Sequence, residues 1–532
     1  MLEAADSIDL AAQQRLVQAL RSALQALQPT GRVELIETHI SFVLLAGALA
    51  YKIKKAVNLG FLDFTTTASR RFFCDEELRL NRRIAPALYL EVLPITGSVE
   101  RPVLGGDGPP LDWALMMRAF AQADLWDRLA ARGALQAHHV DALAQALVAF
   151  HREAAVARPD DPCGQPAQVR EPVQDSLRAL VALVREPGER DALAALTAWE
   201  AQTFARLERI FSQRLCDGFV RECHGDLHLG NVTQVDGRTT MFDCLEFSAA
   251  LRWTDVMSDA AFMAMDLHAH RLPRLAQRFV NAYMQSSGDV GGLRVLRYHA
   301  VYRALVRAKI AALRREQAGA DRDAATRDVA RYLEAAQAFS RPAAPALIVT
   351  HGFSGSGKTL ATQSLLELCG AIRLRADVER KRLFGMPALA CSDAMAKPAL
   401  YSSAATEATQ ARLRHGAEQA LAGGFAAIFD ATFLARAQRD QARALAECLG
   451  VRFAIVDFVA SPATLRQRVA QRAMRADDAS EADVAVLEHQ LSNAEPLAVD
   501  ERADVVSFDA EAEFDEAGMP ARWAPLLRRL QD

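Results

Sequence analysis

Hydrophobic and polar positions divide the first part of the chain into a strand-rich segment followed by a helical one. Short apolar and alternating runs predict strands within residues 33–57 and 88–118, with an amphipathic helix at about 68–84 between them. The most apolar run, residues 42–51, predicts a buried hairpin that turns near Ala46-Gly47. The periodicity after these strands is mostly helical. This order predicts a small β-rich lobe followed by a helical lobe.

A proline-rich joint separates this part from the rest of the chain. Residues 340–345 read Ser-Arg-Pro-Ala-Ala-Pro and lie between a helical stretch and an apolar run, as expected of a linker. Beyond the joint, helical patterns alternate with short apolar runs at 346–350, 425–429, 453–458 and 504–508. This alternation predicts a parallel α/β sheet. We therefore predict a multidomain protein, with an α+β domain at 1–340 and an α/β domain at 345–532.

Composition limits the classes of protein that the chain can represent. Its 532 residues are 51% hydrophobic and 24% charged, which excludes a largely disordered chain. The net charge of -4 argues against bulk binding to nucleic acids or membrane surfaces, and the longest apolar run is shorter than the roughly 20 residues of a membrane helix. The eight cysteines form no CxxC pair, which predicts reduced thiols and a cytoplasmic protein.

Residues 224–231, which read His-Gly-Asp-Leu-His-Leu-Gly-Asn, have the spacing of a kinase catalytic loop. In that chemistry an aspartate, here Asp226, accepts the proton of the attacking hydroxyl group, and an asparagine, here Asn231, binds magnesium. A strand, an Asp-Gly turn and a second strand follow, so a hairpin is predicted. The hairpin would return Asp243 to Asn231 as a second metal ligand.

A kinase also needs a lysine that contacts the phosphates and a glutamate that orients it. Lys52 and Lys54 lie on the same face of a predicted strand, and either could be this lysine, with Lys52 favoured. Glu77 is the carboxylate on the apolar stripe of the following helix, where a buried carboxylate requires a cationic partner. We therefore predict that Glu77 pairs with one of these lysines.

Taken together, residues 1–340 resemble the aminoglycoside phosphotransferase family, whose fold is a shortened protein-kinase fold. The resemblance implies that Asp226 is the catalytic base, that Asn231 and Asp243 bind magnesium, and that Asp259 braces the catalytic loop. One departure is that no G-x-G-x-x-G loop is present, and residues 38–41 match its place only weakly. Members of the family phosphorylate various small hydroxyl compounds, so the resemblance implies no particular acceptor.

The second half contains a complete P-loop. The motif runs from Gly352 through Gly355, Ser356 and Gly357 to Lys358 and Thr359, between a predicted strand and a predicted helix. Its glycines allow backbone N–H groups to surround phosphate, its lysine reaches the terminal phosphates, and its threonine binds magnesium. Asp430 ends an apolar strand, as expected of a Walker B acid that binds the same metal.

Four arginines on a predicted helix fit a lid that closes on ATP, of which one or two need contact phosphate; they are Arg466, Arg468, Arg472 and Arg475. The second half resembles AAA-type ATP-binding proteins and small P-loop kinases, including polynucleotide 5′-kinase domains, gluconate kinase and the zeta-toxin group. This resemblance implies that Asp377 is the acceptor base and Arg380 an acceptor clamp. The pairing of both halves resembles bacterial bifunctional proteins with a phosphotransferase half and an ATP-binding half.

The sequence therefore predicts an ATP- and magnesium-dependent phosphotransferase with two nucleotide-binding centres that acts on hydroxyl groups of small molecules. An alternative is a nucleic-acid end kinase in the second half, which the sparse aromatic residues there disfavour. Another is a first half that binds ATP without turnover, which the presence of Asp226, Asn231 and Asp243 disfavours.

Overall fold

The computed structural model describes residues 8–28, 31–60, 62–317, 319, 321–342, 345–388, 397–400, 402–475, 480 and 482–530, without the side chains of 397–398 and 473–475. The start of the first predicted domain (residues 1–7), the end of the second (531–532), residues 343–344 of the joint and the side chain of Arg475 lie outside the described residues. Within them, no helix is both long enough and apolar enough to cross a membrane.

The helices and strands follow in chain order. The helices are α1 Leu10–Ala26, α2 Thr67–Asn81, α3 Trp126–Ala131, α4 Ala137–Glu153, α5 Pro166–Leu183, α6 Pro187–Cys216, α7 Ala249–Arg252, α8 Val256–Ala269, α9 Pro273–Ser287, α10 Leu293–Arg315, α11 Arg322–Ser340, α12 Lys358–Cys369, α13 Ala376–Leu383, α14 Lys397–Leu400, α15 Ser403–Ala422, α16 Arg436–Cys448, α17 Pro462–Arg475, α18 Val484–Asn493 and α19 Met519–Arg529. The strands are β1 Glu34–Glu37, β2 Ser41–Ala46, β3 Leu49–Lys54, β4 Tyr89–Gly97, β5 Pro102–Leu104, β6 Asp112–Arg118, β7 Val220–Glu222, β8 Val232–Val235, β9 Arg238–Met241, β10 Trp253–Asp255, β11 Ala346–His351, β12 Ile372–Arg375, β13 Ala427–Asp430, β14 Arg452–Val459 and β15 Val505–Asp509.

The first sheet is antiparallel, with strand order β1-β2-β3-β6-β4-β5. Helix α1 packs on it, with Leu16 and Leu20 in one buried cluster with Phe42 and Ile53. The predicted hairpin is present as β2 and β3, and Gly47 at its turn has a φ of +63°, which glycine adopts without steric cost. Residues 38–41 are the segment that weakly matches a phosphate-covering loop. Of these, 38–40 form the short connection between β1 and β2, and Ser41 begins β2.

The second sheet is parallel, with strand order β12-β13-β11-β14-β15. Ile348 in the central strand is fully buried, as expected of a strand covered on both faces. Trp523 of α19 is also fully buried and stacks on Phe508 of β15, with ring centroids 4.6 Å apart. An antiparallel sheet with a catalytic loop in the first half and a parallel P-loop sheet in the second confirm the predicted fold class.

The described residues form two compact units. The first comprises the described residues of Met1–Leu135, Ala149–Glu171 and Arg209–Met263, and it contains the antiparallel sheet and the catalytic loop. The second contains the remaining helical segments together with the parallel sheet, so α9, α10 and α11 belong to the same unit as the P-loop. The division of the chain into separately folding domains at 1–340 and 345–532 stays a prediction.

Candidate active sites

The catalytic loop holds Asp226 and Asn231 against each other. Asn231 ends a single 3-10 turn, and its Nδ2 donates to the main-chain oxygen of Asp226 at 2.9 Å and to its Oδ2 at 3.2 Å. His228 caps the turn by accepting from the Gly230 N–H, and its Nε2 lies 3.5 Å from Asp226 Oδ2. About a third of the Asp226 side chain stays exposed, so its carboxylate is fixed in direction and open to a reactant.

Asp259 of α8 braces the start of this loop through hydrogen bonds to its main chain. Its two carboxylate oxygens accept the main-chain N–H groups of His224 at 2.8 Å and Gly225 at 2.9 Å, and His151 Nε2 lies 3.2 Å away. Burial lowers the pKa of His224, whose Nε2 bonds to the Phe242 carbonyl at 2.9 Å. This places Asp259 in the bracing position that the family resemblance implies.

The same region contains a buried trio of potential metal ligands, His151, Cys223 and Asp259, with ligand atoms within 4.8 Å of one another. However, both oxygens of Asp259 accept backbone N–H groups, and Cys223 Sγ donates to the Thr254 carbonyl. A metal bound there would compete with the brace of the catalytic loop, so we assign these residues to bracing.

The hairpin of β8 and β9 returns the chain to the catalytic loop, as predicted. The Phe242 N–H donates to the Asn231 carbonyl at 3.0 Å, which sets Asp243 beside Asn231. Asp243 adopts a φ of +63°, a conformation that aspartate tolerates better than most residues. Its N–H donates to the hydroxyl oxygen of Tyr89 at 3.0 Å, which fixes this turn. The backbone bond therefore brings together two residues, Asp243 and Asn231, whose side chains carry oxygens of the kinds that bind magnesium.

Both candidate lysines of β3 contact Glu77 of α2. Lys52 Nζ lies 2.7 Å from Glu77 Oε1 and 2.6 Å from Asp243 Oδ1, whereas Lys54 Nζ lies 2.6 Å from Glu77 Oε2 and pairs with Glu246. Lys52 keeps 13% of its side chain exposed and Lys54 only 1%, so Lys52 is the lysine that a ligand could reach.

Electrostatics in this cluster favour the charged forms of the lysines and of Glu77. Burial disfavours the ammonium of Lys52, but Asp243 and Glu77 outweigh it and raise its pKa well above the ordinary value. Burial alone would raise the pKa of Glu77, but Lys52 and Lys54 hold it at about 2. Hydrogen bonds between an ammonium and carboxylates are strong, so the contacts with Glu77 and Asp243 keep Lys52 in place before any ligand binds.

Sequence reasoning missed three residues of this site. Glu246 is buried against Lys54, Tyr89 fixes the turn at Asp243, and Asn81 accepts the Cys244 N–H at 2.9 Å. A carboxylate three positions after Asp243 was the available signal for Glu246. The other two belong to no motif, and only the folded chain brings them to the site.

The P-loop lies between β11 and α12, as predicted. Gly352, Gly355 and Gly357 have φ values of +142°, +85° and +78°, which other residues adopt only with strain. Lys358 Nζ donates to the carbonyls of Gly352 at 2.9 Å and Phe353 at 2.7 Å, and lies 3.3 Å from Ser356 Oγ. Glycines here are therefore needed for the loop to turn back over its own lysine.

Burial lowers the pKa of Lys358 to about 8. Asp430 and Asp377 act in the opposite direction, and Arg472 adds to the lowering. The contacts of Lys358 Nζ are with neutral oxygens of the loop, which stabilise an ammonium less than a carboxylate does. This lysine therefore gains a strong partner only when an anion enters the loop.

Thr359 and Asp430 form a second pair of oxygen-bearing side chains that could hold a metal. Thr359 Oγ1 donates to Asp430 Oδ2 at 2.8 Å, and Asp430 ends β13 at the carboxyl edge of the parallel sheet. Arg375 Nε lies 3.8 Å from the same carboxylate oxygen. A hydroxyl at the start of the P-loop helix and a carboxylate at the end of the neighbouring strand β13 fit magnesium bound together with phosphate oxygens.

Asp377 and Arg380 lie on α13, which starts at the end of β12. Burial raises the pKa of Asp377, and Arg380 acts in the opposite direction. Asp377 also acts electrostatically on Lys358, so this predicted base lies near the P-loop lysine.

The predicted lid arginines have different surroundings. Arg466 forms an exposed ion pair with Glu488 at 2.6 Å, and Arg468 donates to the Ala510 carbonyl at 2.8 Å. Arg472 donates to the Ala482 carbonyl at 2.8 Å and acts electrostatically on Lys358. Among these three, Arg472 is the arginine that acts on the P-loop, and the side chain of Arg475 lies outside the described residues.

One protein family matches the second half of the chain, and a related protein matches most of its length. Residues 347–497 match the family described as an AAA domain, which confirms the predicted P-loop resemblance. A Mycobacterium tuberculosis protein described as uncharacterized is 29% identical over 450 residues, which are 84% of this chain and 88% of that protein.

Two solved kinases cover different shares of the chain. A choline/ethanolamine kinase family protein from Mesorhizobium loti covers 61% of this chain and 99% of its own, with 14% identity and a TM-score of 0.37. A gluconokinase from Sinorhizobium meliloti covers 36% of this chain and 97% of its own, with 23% identity and a TM-score of 0.24.

Proposed function

We propose that the chain is a magnesium- and ATP-dependent phosphotransferase with two centres, each of which transfers a phosphoryl group to a hydroxyl group of a small molecule. The observation that carries the proposal is the position of Lys52 Nζ, 2.7 Å from Glu77 and 2.6 Å from Asp243. Phosphoryl transfer by a kinase fold needs an ion pair between a strand lysine and a helix glutamate, with a metal-binding aspartate in place beside it. They come from three distant parts of the sequence, which supports a common function.

In the first centre, Lys52 would bind phosphate while Glu77 holds its ammonium in position. Asn231 and Asp243 would bind magnesium, which neutralises charge on the phosphate oxygens when bound. The Nδ2 of Asn231 is bonded to Asp226, so its Oδ1 is the atom available to the metal. Asp226 would accept the proton of the acceptor hydroxyl, because its carboxylate is partly exposed and held by Asn231 and His228.

In the second centre, backbone N–H groups of the P-loop and Lys358 would bind the phosphates. Thr359 and Asp430 would hold the metal. Asp377 would take the proton of the acceptor, a role supported by the rise in its pKa on burial. Arg380 would orient the acceptor, and Arg472 would stabilise charge on the transferring group.

The test uses the full chain, γ-phosphate-labelled ATP, magnesium and a pool of small hydroxyl compounds. Asp226→Asn keeps the size of the side chain and removes the base, so labelling by the first centre should fall by about a thousandfold. Lys358→Met should reduce the labelling of a different set of products by at least about a hundredfold. Asp236→Asn is the matched control, because Asp236 is exposed and forms a surface ion pair with Arg118.

The outcomes separate the alternatives for each half. Products that persist in Asp226→Asn and vanish only in Lys358→Met would mean that the first half binds without turnover. Label on nucleic-acid ends, and none on small compounds, would replace the proposal for the second centre with an end kinase. Equal losses in Asp236→Asn and Asp226→Asn would count against Asp226 as the base.

A further inference from the structure

One face of helix α9 is bonded to the P-loop part of the second compact unit. Arg278, Asn281 and Gln285 recur at spacings of three and four residues, so they share a face of the helix. Arg278 Nη1 lies 3.0 Å from Glu367 of α12, and the main-chain carbonyl of Gln285 accepts from Arg382 of α13 at 2.7 Å. This face is polar, and its contacts are hydrogen bonds and ion pairs with defined partners.

The side chain of Asn281 pairs with main-chain groups at the edge of the parallel sheet. Strand β12 is an edge strand, and its Ile372 N–H donates inward to the Ala426 carbonyl. The neighbouring groups of the strand, the Ala371 carbonyl and the Arg373 N–H, therefore point away from the sheet. Asn281 Nδ2 donates to the first and its Oδ1 accepts from the second, both at 2.8 Å. A single side chain thus pairs with two main-chain groups that would otherwise be open to a neighbouring strand.

The side chain of Arg373 continues this connection into the P-loop helix. Its Nη1 donates to the Thr359 carbonyl at 2.6 Å and lies 3.2 Å from Thr362 Oγ1, and its Nη2 donates to Gln363 at 2.8 Å. Thr359 is the residue whose hydroxyl bonds to Asp430. The guanidinium of Arg373 therefore holds the first turn of α12, which carries the phosphate- and metal-binding groups.

A cation in this place is costly unless an anion binds nearby. The start of a helix carries partial positive charge, which disfavours a guanidinium there. Nucleotide phosphates at the P-loop would supply the missing negative charge.

We propose that Arg373 is a positioning residue of the second centre, and that Asn281 holds it in register from helix α9. Nucleotide binding by the P-loop then depends on a helix that precedes the 340–345 joint. The proposal rests on the proposed function of the second centre, and it adds residues that no P-loop motif contains.

The experiment measures Mg-ATP binding by the full chain, counting only the binding that Lys358→Met removes. Arg373→Gln keeps hydrogen-bonding groups but removes the charge and reach of the guanidinium, and should weaken this binding about tenfold. Asn281→Leu leaves the edge groups of β12 unpaired and should weaken it about fivefold. The matched control is Arg382→Gln, which removes a contact to α9 that does not reach α12.

Arg382→Gln should change the binding by less than about twofold while lowering the melting temperature without nucleotide. Equal weakening by Arg382→Gln and Arg373→Gln would overturn the proposal, because α9 would then act by docking alone. Unchanged binding in Arg373→Gln would overturn it as well. Should Asn281→Leu fail to fold, Asn281→Asp keeps the acceptor for Arg373 and loses the donor to Ala371, and unchanged binding there would also count against it.

If the unaltered chain shows no Mg-ATP binding that depends on Lys358, the proposed function of the second centre is wrong, and the inference about Arg373 fails with it. Binding that depends on Lys358 but not on Arg373 leaves that function standing and removes the inference alone.

Discussion

The lysines at the centres of the two proposed sites are stabilised in opposite ways. Lys52 lies between the carboxylates of Glu77 and Asp243, which raise its pKa above the ordinary value. Lys358 is held by main-chain carbonyls of its own loop, and burial lowers its pKa to about 8. The positive charge of Lys52 is already balanced by carboxylates before a ligand arrives, whereas among the described residues no carboxylate forms an ion pair with Lys358.

This difference follows from how each site is assembled. Lys52 is separated from Glu77 by 25 residues and from Asp243 by 191, so its site exists only when distant elements pack together. Lys358 bonds to residues two to six positions before it, so the P-loop supplies most of its own geometry. A site built from distant elements can use carboxylates as fixed partners, and a site built from one loop uses backbone dipoles.

Among the variants that test this comparison of the two lysines, the largest effect is expected from removing Lys52. Lys52→Met removes the charge that would meet the phosphates, so transfer by the first centre should fall by at least about a hundredfold. Labelling of first-centre products by the full chain measures this loss. Lys54→Met should retain far more activity, because Lys54 is buried between Glu77 and Glu246. If Lys54→Met lost as much activity as Lys52→Met in a folded protein, the assignment of Lys52 would be wrong.

Lys54→Met should instead act on stability. It leaves Glu246 buried without its cation, so the free energy of unfolding should fall by about 3 kcal/mol. Chemical denaturation measures the change. The double variant Lys54→Met with Glu246→Gln removes the unpaired carboxylate and should recover part of the loss. An additive loss in the double variant would show that the two side chains do not stabilise each other.

The pH dependence of nucleotide binding should separate the two lysines. Below pH 8 Lys358 is protonated in the nucleotide-free protein, and above pH 8 the phosphates must bind together with a proton. The affinity of the second centre should therefore decrease above pH 8, by up to about tenfold per pH unit. Lys52 has a raised pKa, so the first centre should show a constant affinity from pH 7 to about 9.5. Titrations of the Lys52→Met and Lys358→Met chains with Mg-ATP measure each centre alone.

The smallest effect is expected at Arg466. Its ion pair with Glu488 is exposed, so Arg466→Ala should leave the stability of the protein nearly unchanged. Transfer by the second centre should also stay within about twofold of the unaltered chain, whereas Arg472→Ala should reduce it about tenfold or more. Steady-state labelling with both variants tests this ranking. Equal effects would mean that the lid helix contacts phosphate along more of its length.

The sequence predicted the parts of both sites that lie in contiguous motifs. Asp226 and Asn231 share one loop, and the P-loop residues share another, so their spacing alone places them together. The choice between Lys52 and Lys54 stayed open, because both lie on the same face of β3, and only the folded chain places Lys52 against Asp243 and Lys54 against Glu246. Asn281 was not predicted, since its role depends on the unpaired edge of a strand that begins 91 residues later.

The way in which Asn281 covers β12 has a consequence for aggregation. An uncovered edge strand offers its N–H and carbonyl groups to strands of other molecules. A fragment that begins after the joint lacks α9, so the Ala371 carbonyl and the Arg373 N–H would lie at a bare sheet edge. Edge-to-edge association between copies of such a fragment is then expected, and fragments for study of the P-loop should begin before Pro273.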